Sequence, residues 1–229
     1  MQDLDIFHGS SKIIVKPEFG YGKLYNDYGM ALYCTEKLEM AKEWACTEAE
    51  DGFANQYRLH GAGLRELNLC SGEYHILNWL AILLENRVFR MDSDLQEKAK
   101  QYILEQFLPD YREYDVIRGY RADDSYFSFA AAFLNNALTL EQLNRAMYLG
   151  DLGEQIAVRS RLAFEKLEFI GVEPAVREIY YPKKANRDQM ARQLFRKEKT
   201  NVCQGTYMID LMREQWRDDD ERLQRIIHE

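Results

Sequence analysis

The sequence holds no pair of cysteines spaced for a metal ribbon. Cys34, Cys46, Cys70 and Cys203 stand far apart, with no Cys-x-x-Cys element. That spacing argues against a zinc ribbon and a disulfide scaffold, and suits reduced thiols in a reducing compartment. The four histidines are at positions 8, 60, 75 and 228, with no His-Glu-x-x-His element, so no metal is expected. No Gly-x-Ser-x-Gly turn points to a serine hydrolase. A Gly-x-Gly-x-x-Gly after a strand and a Gly-x-x-x-x-Gly-Lys phosphate loop are both missing, which removes the main signatures of the common nucleotide folds. The longest apolar run, Trp79 to Leu84, is far too short to span a bilayer. The N-terminus has no basic start leading into an apolar stretch, so no secretory signal peptide is read. A cytoplasmic protein with no membrane partner is the expectation; secretion as an effector by a route lacking such a signal stays open.

What is present describes a globular chain. Of 229 residues, 46% are hydrophobic and 30% charged, which excludes a disordered polar chain. The formal net charge of -8 means that the molecule as a whole does not attract nucleic acid or acidic lipid. A local basic stretch, Lys183 to Lys199, runs against that balance. It reads either as a solvated helix face or as a surface for a target. Fifteen tyrosines offer flat faces with polar tips, suited to cores and pockets alike.

Short strands are expected at Asp5–Phe7, with a further extended piece at Ile13–Val15, and at Gly29–Thr35, with one or two more in Asn55–Leu69. Others are expected at Tyr114–Tyr120, Gln155–Val158 and Leu167–Ile170. Helical periodicity marks 36–50, 75–86, 95–108 and 125–135. Thr35 is a candidate cap for the first helix. Thr139-Leu140-Glu141-Gln142 has the capping-box form, and Arg161 to Lys166 reads as helical. Glu178–Pro182 reads as a last strand or an extended linker, followed by mostly polar helix. Strands separated by helices of varied length do not form regular βαβ units, so the class expected is α+β.

Four polar clusters could carry chemistry. Phe7-His8-Gly9-Ser10 at a strand end offers a hydrogen-bonding imidazole beside a glycine that lets backbone approach a planar group; its plain alternative is a turn with a surface histidine. In Asp27-Tyr28-Gly29-Met30-Ala31-Leu32-Tyr33, the tyrosines can stack on flat rings and Asp27 can accept from a ribose hydroxyl or orient a neighbour. Core packing is the alternative there. In Arg121-Ala122-Asp123-Asp124, one carboxylate can face a pocket while the other caps a helix starting near Ser125, or both are caps. Gln155, beside Glu154, can hold a hydroxyl pair or an amide, or is simply an edge residue.

In this order the clusters resemble a family of uncharacterised bacterial domains in the ADP-ribosyltransferase superfamily. The resemblance runs over about residues 5 to 170. It is carried by Phe7-His8-Gly9-Ser10, Pro17, Asp27 to Thr35, Met40-Ala41-Lys42-Glu43-Trp44-Ala45, Tyr114 to Ile117, Gly119 to Asp124, Gln155-Ile156 and Lys166 to Ile170. Three positions depart from the family pattern. Ala31 and Leu32 replace Gly-Phe, Lys23 stands where an arginine is usual, and Gln155 stands where the superfamily often has glutamate.

The resemblance implies a split β-sheet core with surrounding helices over residues 1–175, and a mainly helical extension over 176–229. It implies NAD as co-substrate, with release of nicotinamide and transfer of ADP-ribose to a macromolecular acceptor, protein or nucleic acid. Hydrolysis of NAD and a catalytically inactive NAD- or partner-binding module are the alternatives; a toxin or effector role would also bring in an inhibitory partner protein. By the same resemblance, Tyr33 stacks on nicotinamide, with Tyr28 as a second stacking ring. The Gly9 backbone, next to Ser10, binds the nicotinamide amide. His8 holds the adenosine ribose, with Asp27 beside it in the cofactor set, and Lys23 meets phosphate. Gln155 holds the nicotinamide ribose, and Asp123 or Asp124 serves the cation or the acceptor.

Overall fold

The computed structural model describes residues 1–121, 124–149, 154–200 and 204–223, without the side chains of 124–126 and 147–149. The strands are β1 (Leu4–Ser10), β2 (Leu32–Cys34), β3 (Gly52–Leu59), β4 (Glu66–Asn68), β5 (Val116–Tyr120), β6 (Glu154–Val158) and β7 (Leu167–Ala175). The helices are α1 (Leu38–Ala45), α2 (Ile76–Asn86), α3 (Asp94–Phe107), α4 (Asp124–Leu134), α5 (Leu140–Leu149), α6 (Arg161–Glu165), α7 (Arg177–Thr200) and α8 (Met208–Arg213). Mixed α+β architecture follows, with two small sheets: β1-β3-β7, and β2-β6-β5-β4 with β4 and β5 parallel.

Period-two alternation sorts the four-stranded sheet into two faces. Val116, Ile156 and Val158 turn towards Ile6, Tyr57 and Leu59 of the other sheet. Ile117 and Ala157 turn the opposite way, into the larger core built with α2, α3, α4 and α5. Helix α2 is apolar all round (Ile76-Leu77 and Trp79 to Leu84) and is accordingly buried on every side. The capping box forms as its sequence implies: Thr139 N–H donates to Gln142 Oε1 at 2.9 Å, and Gln142 N–H to Thr139 Oγ1 at 3.2 Å.

Four local expectations are corrected. The strand sought over 29–35 is only Leu32–Cys34, because Gly29 has φ +77° and turns the chain first. Thr35 does not cap α1. Its backbone is tied to Phe7, the helix starts at Leu38, and its Oγ1 accepts from Lys37 N–H at 3.2 Å, ahead of the helix. Ile13–Val15 forms no strand: Ile14 N–H bonds the Asn55 side chain, and its carbonyl bonds the Tyr57 hydroxyl. Residues 178–182 belong to α7, with Pro182 inside the helix. Proline forfeits a helix hydrogen bond, but side-chain contacts with α1 hold this turn in place. Tyr180 Oη and Lys183 Nζ both bond Glu39, at 3.1 and 2.9 Å.

The C-terminal helices share the main core. Ala191, Met208, Leu211, Trp216 and Leu223 sit in the same apolar cluster as α2 and α3. Within the acidic run 218–220, Asp218 accepts from Asn78 Nδ2 at 2.6 Å and lies 3.1 Å from His75 Nε2.

One buried ion pair fastens α7 to α1. The Arg187 guanidinium grips Glu43 with two bonds, at 3.0 and 3.1 Å, and Glu43 is only 4% exposed. Arg187→Ala leaves that carboxylate buried without its cation, at a cost of about 3 kcal/mol. Urea unfolding is expected to show the loss, with Glu43→Gln losing less. An unchanged midpoint for Arg187→Ala would mean that α7 is not anchored by this pair.

Candidate functional site

Among the described residues, the two sheets are joined through one backbone pair. Phe7 and Thr35 exchange both N–H···O=C bonds, at 2.8 and 3.0 Å. Strand alternation turns the N–H and C=O of Gly9 to that same side, two residues on. There the backbone pairing of β1 with β2 has stopped, and Gly9 lines a cavity of about 900 Å³. A side chain at position 9 would collide with α1, since a Cβ would lie 2.2 Å from the Ala41 carbonyl oxygen. The sequence thus places bare backbone at the cavity wall.

His8 lines the cavity from β1. Its Nδ1 lies 2.8 Å from the Tyr33 carbonyl oxygen. A carbonyl can only accept, so Nδ1 carries the proton and Nε2 of the neutral ring is an acceptor. Burial pushes the His8 pKa below its usual value, and the bond to Tyr33 offsets this only in part.

Tyr33 lines the cavity as well, and its hydroxyl is engaged behind it. It donates to the Gly29 carbonyl at 2.6 Å and accepts from Tyr28 N–H at 3.0 Å. Burial raises its pKa far above the ordinary phenol value, so it stays neutral.

Asp27 is the brace of the floor. One carboxylate oxygen accepts from Arg87 at 2.8 Å, the other from Gln155 Nε2 at 2.8 Å. Gln155 also reaches the Tyr120 carbonyl at 3.2 Å, which accepts in addition from the Tyr28 hydroxyl and the Trp79 indole. The 17–31 loop, α2, β5 and β6 are therefore locked together beneath one wall of the cavity.

Six of the residues singled out in the sequence line this one cavity: His8, Gly9, Lys23, Asp27, Tyr33 and Gln155. Two do not. Tyr28 is fully buried in the core, its hydroxyl held by Tyr120, so its ring is packing and not a stacking surface. Gly119 belongs to the same arrangement, since a Cβ there would lie 2.2 Å from the Tyr28 hydroxyl. Ser10 sits outside the cavity lining and its Oγ accepts from Lys12 N–H at 3.1 Å, a local turn bond. Asp123 and the side chain of Asp124 lie outside the described residues; α4 begins at Asp124, one residue before the start expected.

Sequence reasoning missed Arg87, gave Glu43 and Trp44 no role at the site, and offered the C-terminal helical extension as a cover for the pocket, a docked appendage or a target-binding element without naming which of its residues line the cavity. The motif around Trp44 was visible as a helix face, but not the wall it forms. Arg121 stacks over the Trp44 ring at 4.5 Å. The basic stretch of α7 turns Lys184, Arg187 and Arg192 towards the cavity. Among the described residues, no three His, Cys, Asp or Glu side chains gather as a metal cluster, and no helix is long and apolar enough to cross a membrane.

The arrangement offers a flat ring, a neutral imidazole acceptor, an amide, exposed backbone and a cationic rim, which together fit a polar, anionic ligand with a planar group. The neutral His8 gives a sharp expectation. Its folded pKa is depressed, so the neutral form is the one the fold favours, and this contribution to stability is complete above about pH 6.5. It is lost as pH falls from there through the folded pKa. Nitrogen-15 NMR of the ring is expected to show a neutral Nδ1–H tautomer titrating below pH 6.5. A titration at or above 6.5, or an Nε2–H tautomer, would contradict the arrangement.

No curated protein and no solved structure matches the chain. A family profile does match, over residues 4–169, a span that starts with β1 and closes within β7. It takes in every cavity-lining segment except α7. The chain belongs to the family described as protein of unknown function (DUF3990).

Proposed function

We propose that this protein binds NAD in the cavity and transfers its ADP-ribose to a macromolecular acceptor, releasing nicotinamide. One observation carries the reading: His8, Gly9, Lys23, Asp27, Tyr33 and Gln155, far apart in sequence, line a single cavity between the two sheets. Two small sheets of three and four strands suit the split-sheet core of the ADP-ribosyltransferase superfamily.

In the proposed reaction, the bond between the ribose C1′ and the nicotinamide nitrogen breaks. Nicotinamide leaves with the electron pair, C1′ becomes oxocarbenium-like, and an acceptor oxygen or nitrogen adds while its proton passes to a base. Tyr33 presents its ring to nicotinamide, and the Gly9 backbone meets the carboxamide. The His8 Nε2 accepts from a ribose hydroxyl. Gln155 orients the second ribose, its amide nitrogen held by Asp27 at 2.8 Å. Asp123 or Asp124 supplies the carboxylate that stabilises the cation or takes the acceptor proton. Such general-base help contributes ~10²–10⁴-fold, and preorganised electrostatics contribute alongside it.

Incubation with NAD labelled in its adenylate half, together with cell lysate, tests the reading. Release of nicotinamide with label on a macromolecule is expected, and protease or nuclease sensitivity then names the acceptor class. Release with free ADP-ribose alone would make the protein a hydrolase of NAD; no release and no NAD affinity below millimolar would overturn the reading.

Two sets of variants examine the parts. Tyr33→Ala is expected to weaken NAD binding more than Tyr33→Phe, since stacking contributes ~0.5–1.5 kcal/mol beyond burial. Tyr33→Phe should instead lower stability by about 1–2 kcal/mol, because two hydrogen bonds to the 28–29 turn go with the hydroxyl. Equal affinity losses in the two variants would assign the binding role to the hydroxyl. For the carboxylates, Asp123→Asn and Asp124→Asn are compared by melting temperature and by nicotinamide release. The residue facing the ribose should lose turnover by ~10²–10⁴-fold at unchanged stability, and the helix cap should lose stability by about 1 kcal/mol. Stability loss with full activity in both would make the pair purely structural.

A further inference from the structure

Two acceptors meet at Gln155, and their chemistry fixes which end of its amide the cavity sees. Gln155 stands near the start of β6, opposite Gly119 of β5, and is only 3% exposed. Its Nε2 lies 2.8 Å from Asp27 Oδ2 and 3.2 Å from the Tyr120 carbonyl oxygen. A carboxylate and a carbonyl can only accept, and Nε2 has two hydrogens to give. Reversing the amide would set Oε1 against an acceptor at both points. The nitrogen is therefore turned into the floor, and Oε1 is the polar end that Gln155 keeps for the cavity it lines.

Asp27 is the stronger of the two anchors. The Tyr120 carbonyl already accepts from the Tyr28 hydroxyl at 2.7 Å and from the Trp79 indole at 3.1 Å, so Gln155 is a further and more distant donor to it. Asp27 offers a charged oxygen at shorter range, and a hydrogen bond to a charged acceptor is roughly twice as strong as a neutral one. Asp27 is itself held in place. It is 6% exposed, and its other oxygen accepts from Arg87 Nη1 at 2.8 Å. Arg87 stands at the end of α2, where its own N–H donates to the Leu83 carbonyl at 2.9 Å. The direction of the Gln155 amide is thus set from a buried helix, through an arginine and a carboxylate.

We infer that Asp27 is a positioning residue: by holding Gln155 Nε2 it presents Oε1 to the cavity as a fixed hydrogen-bond acceptor, which selects a ligand that brings a hydroxyl donor to that point. This rests on the dinucleotide reading of the cavity and deepens it. The hydroxyl is the 2′-hydroxyl of the nicotinamide ribose, and a sugar without it leaves Oε1 covered and unpaired. A site built to bond a hydroxyl rejects the analogue lacking it for that reason.

Calorimetric titration of the full-length protein with NAD, and with NAD lacking the 2′-hydroxyl of its nicotinamide ribose, tests the inference. Wild type should bind NAD about 10–100-fold more tightly than the deoxy analogue, the loss expected when a buried acceptor goes unpaired. In Asp27→Asn the new side-chain nitrogen can donate, which frees the Gln155 amide to reverse, so the two affinities should converge. The exchanged pair Asp27→Asn/Gln155→Glu puts the donor at 27 and the acceptor at 155, and should restore the preference. A residue with a merely structural role would lower both affinities together or lower the melting temperature, without moving their ratio. A folded Asp27→Asn that keeps the full preference would overturn the inference and leave the dinucleotide reading standing. An exchanged pair that fails to recover it would assign the preference to a direct contact of Asp27 with the ligand, and would also overturn the inference. Nitrogen-15 NMR of the wild type needs no variant to fold: the Gln155 side-chain amide protons should exchange slowly with water, and fast exchange would overturn the inference. A wild type that binds NAD and the analogue equally would do the same, whereas one that binds neither would remove the dinucleotide reading and the inference with it.

Discussion

Two hydrogen bonds between Phe7 and Thr35 join the sheets, and the cavity exists because the pairing stops there. Had β1 and β2 continued as partners, the N–H and C=O of Gly9 would be used in a ladder and the His8 ring would have no recess beside it. Termination so early needs a separate scaffold to hold the two sheets at a fixed opening. That scaffold is the apolar layer of Ile6, Tyr57 and Leu59 against Val116, Ile156 and Val158. The glycine at position 9 then allows α1 to close against β1, which brings Glu43 and Trp44 to the cavity.

The floor depends on polar groups that bond one another. Asp27, Gln155, Arg87 and the Tyr120 carbonyl form one connected set, closed from below by Tyr28 and Trp79. A buried carboxylate is costly unless both its charge and its lone pairs are answered. Arg87 answers the charge, and the Gln155 amide answers the second oxygen with a neutral donor. A glutamate at position 155 would set two carboxylates against each other across the same 2.8 Å gap. The amide at this position is therefore matched to the aspartate at position 27, whatever else it does for a ligand.

Elements with local causes were legible in the sequence. Helix α2 announced itself by a continuous apolar run, α5 by Thr139 and Gln142, and β5 and β6 by short apolar segments near turn residues. Legibility failed where a distant contact overruled a local preference. Pro182 reads as a breaker, yet Glu39 and Glu43 of α1 hold α7 through it. Among the site residues, those lying on recognisable strand ends were found: His8, Gly9, Tyr33 and Gln155. Arg87 sits just past a buried helix and carries no pattern of its own, so only the fold reveals that it meets Asp27. Tyr28 and Tyr33 are chemically identical five residues apart. A side-chain direction, not a residue type, sends one into the core and the other to the cavity.

The outer margin of the three-stranded sheet has a consequence for how these molecules behave in a crowd. Among the described residues β7 is the last strand of its sheet, and a free strand margin is a template for joining another chain. Here that margin is interrupted. Its pairing with β3 slips between Gln56 and Tyr57, so that Ile170 has no opposite number, and Pro174 cannot donate. Glu168 and Glu173 add like charges that would face each other in a symmetric encounter. Two copies meeting at this margin would find broken register, a missing donor and electrostatic repulsion, so that end-to-end growth into larger β-structures is disfavoured at high concentration.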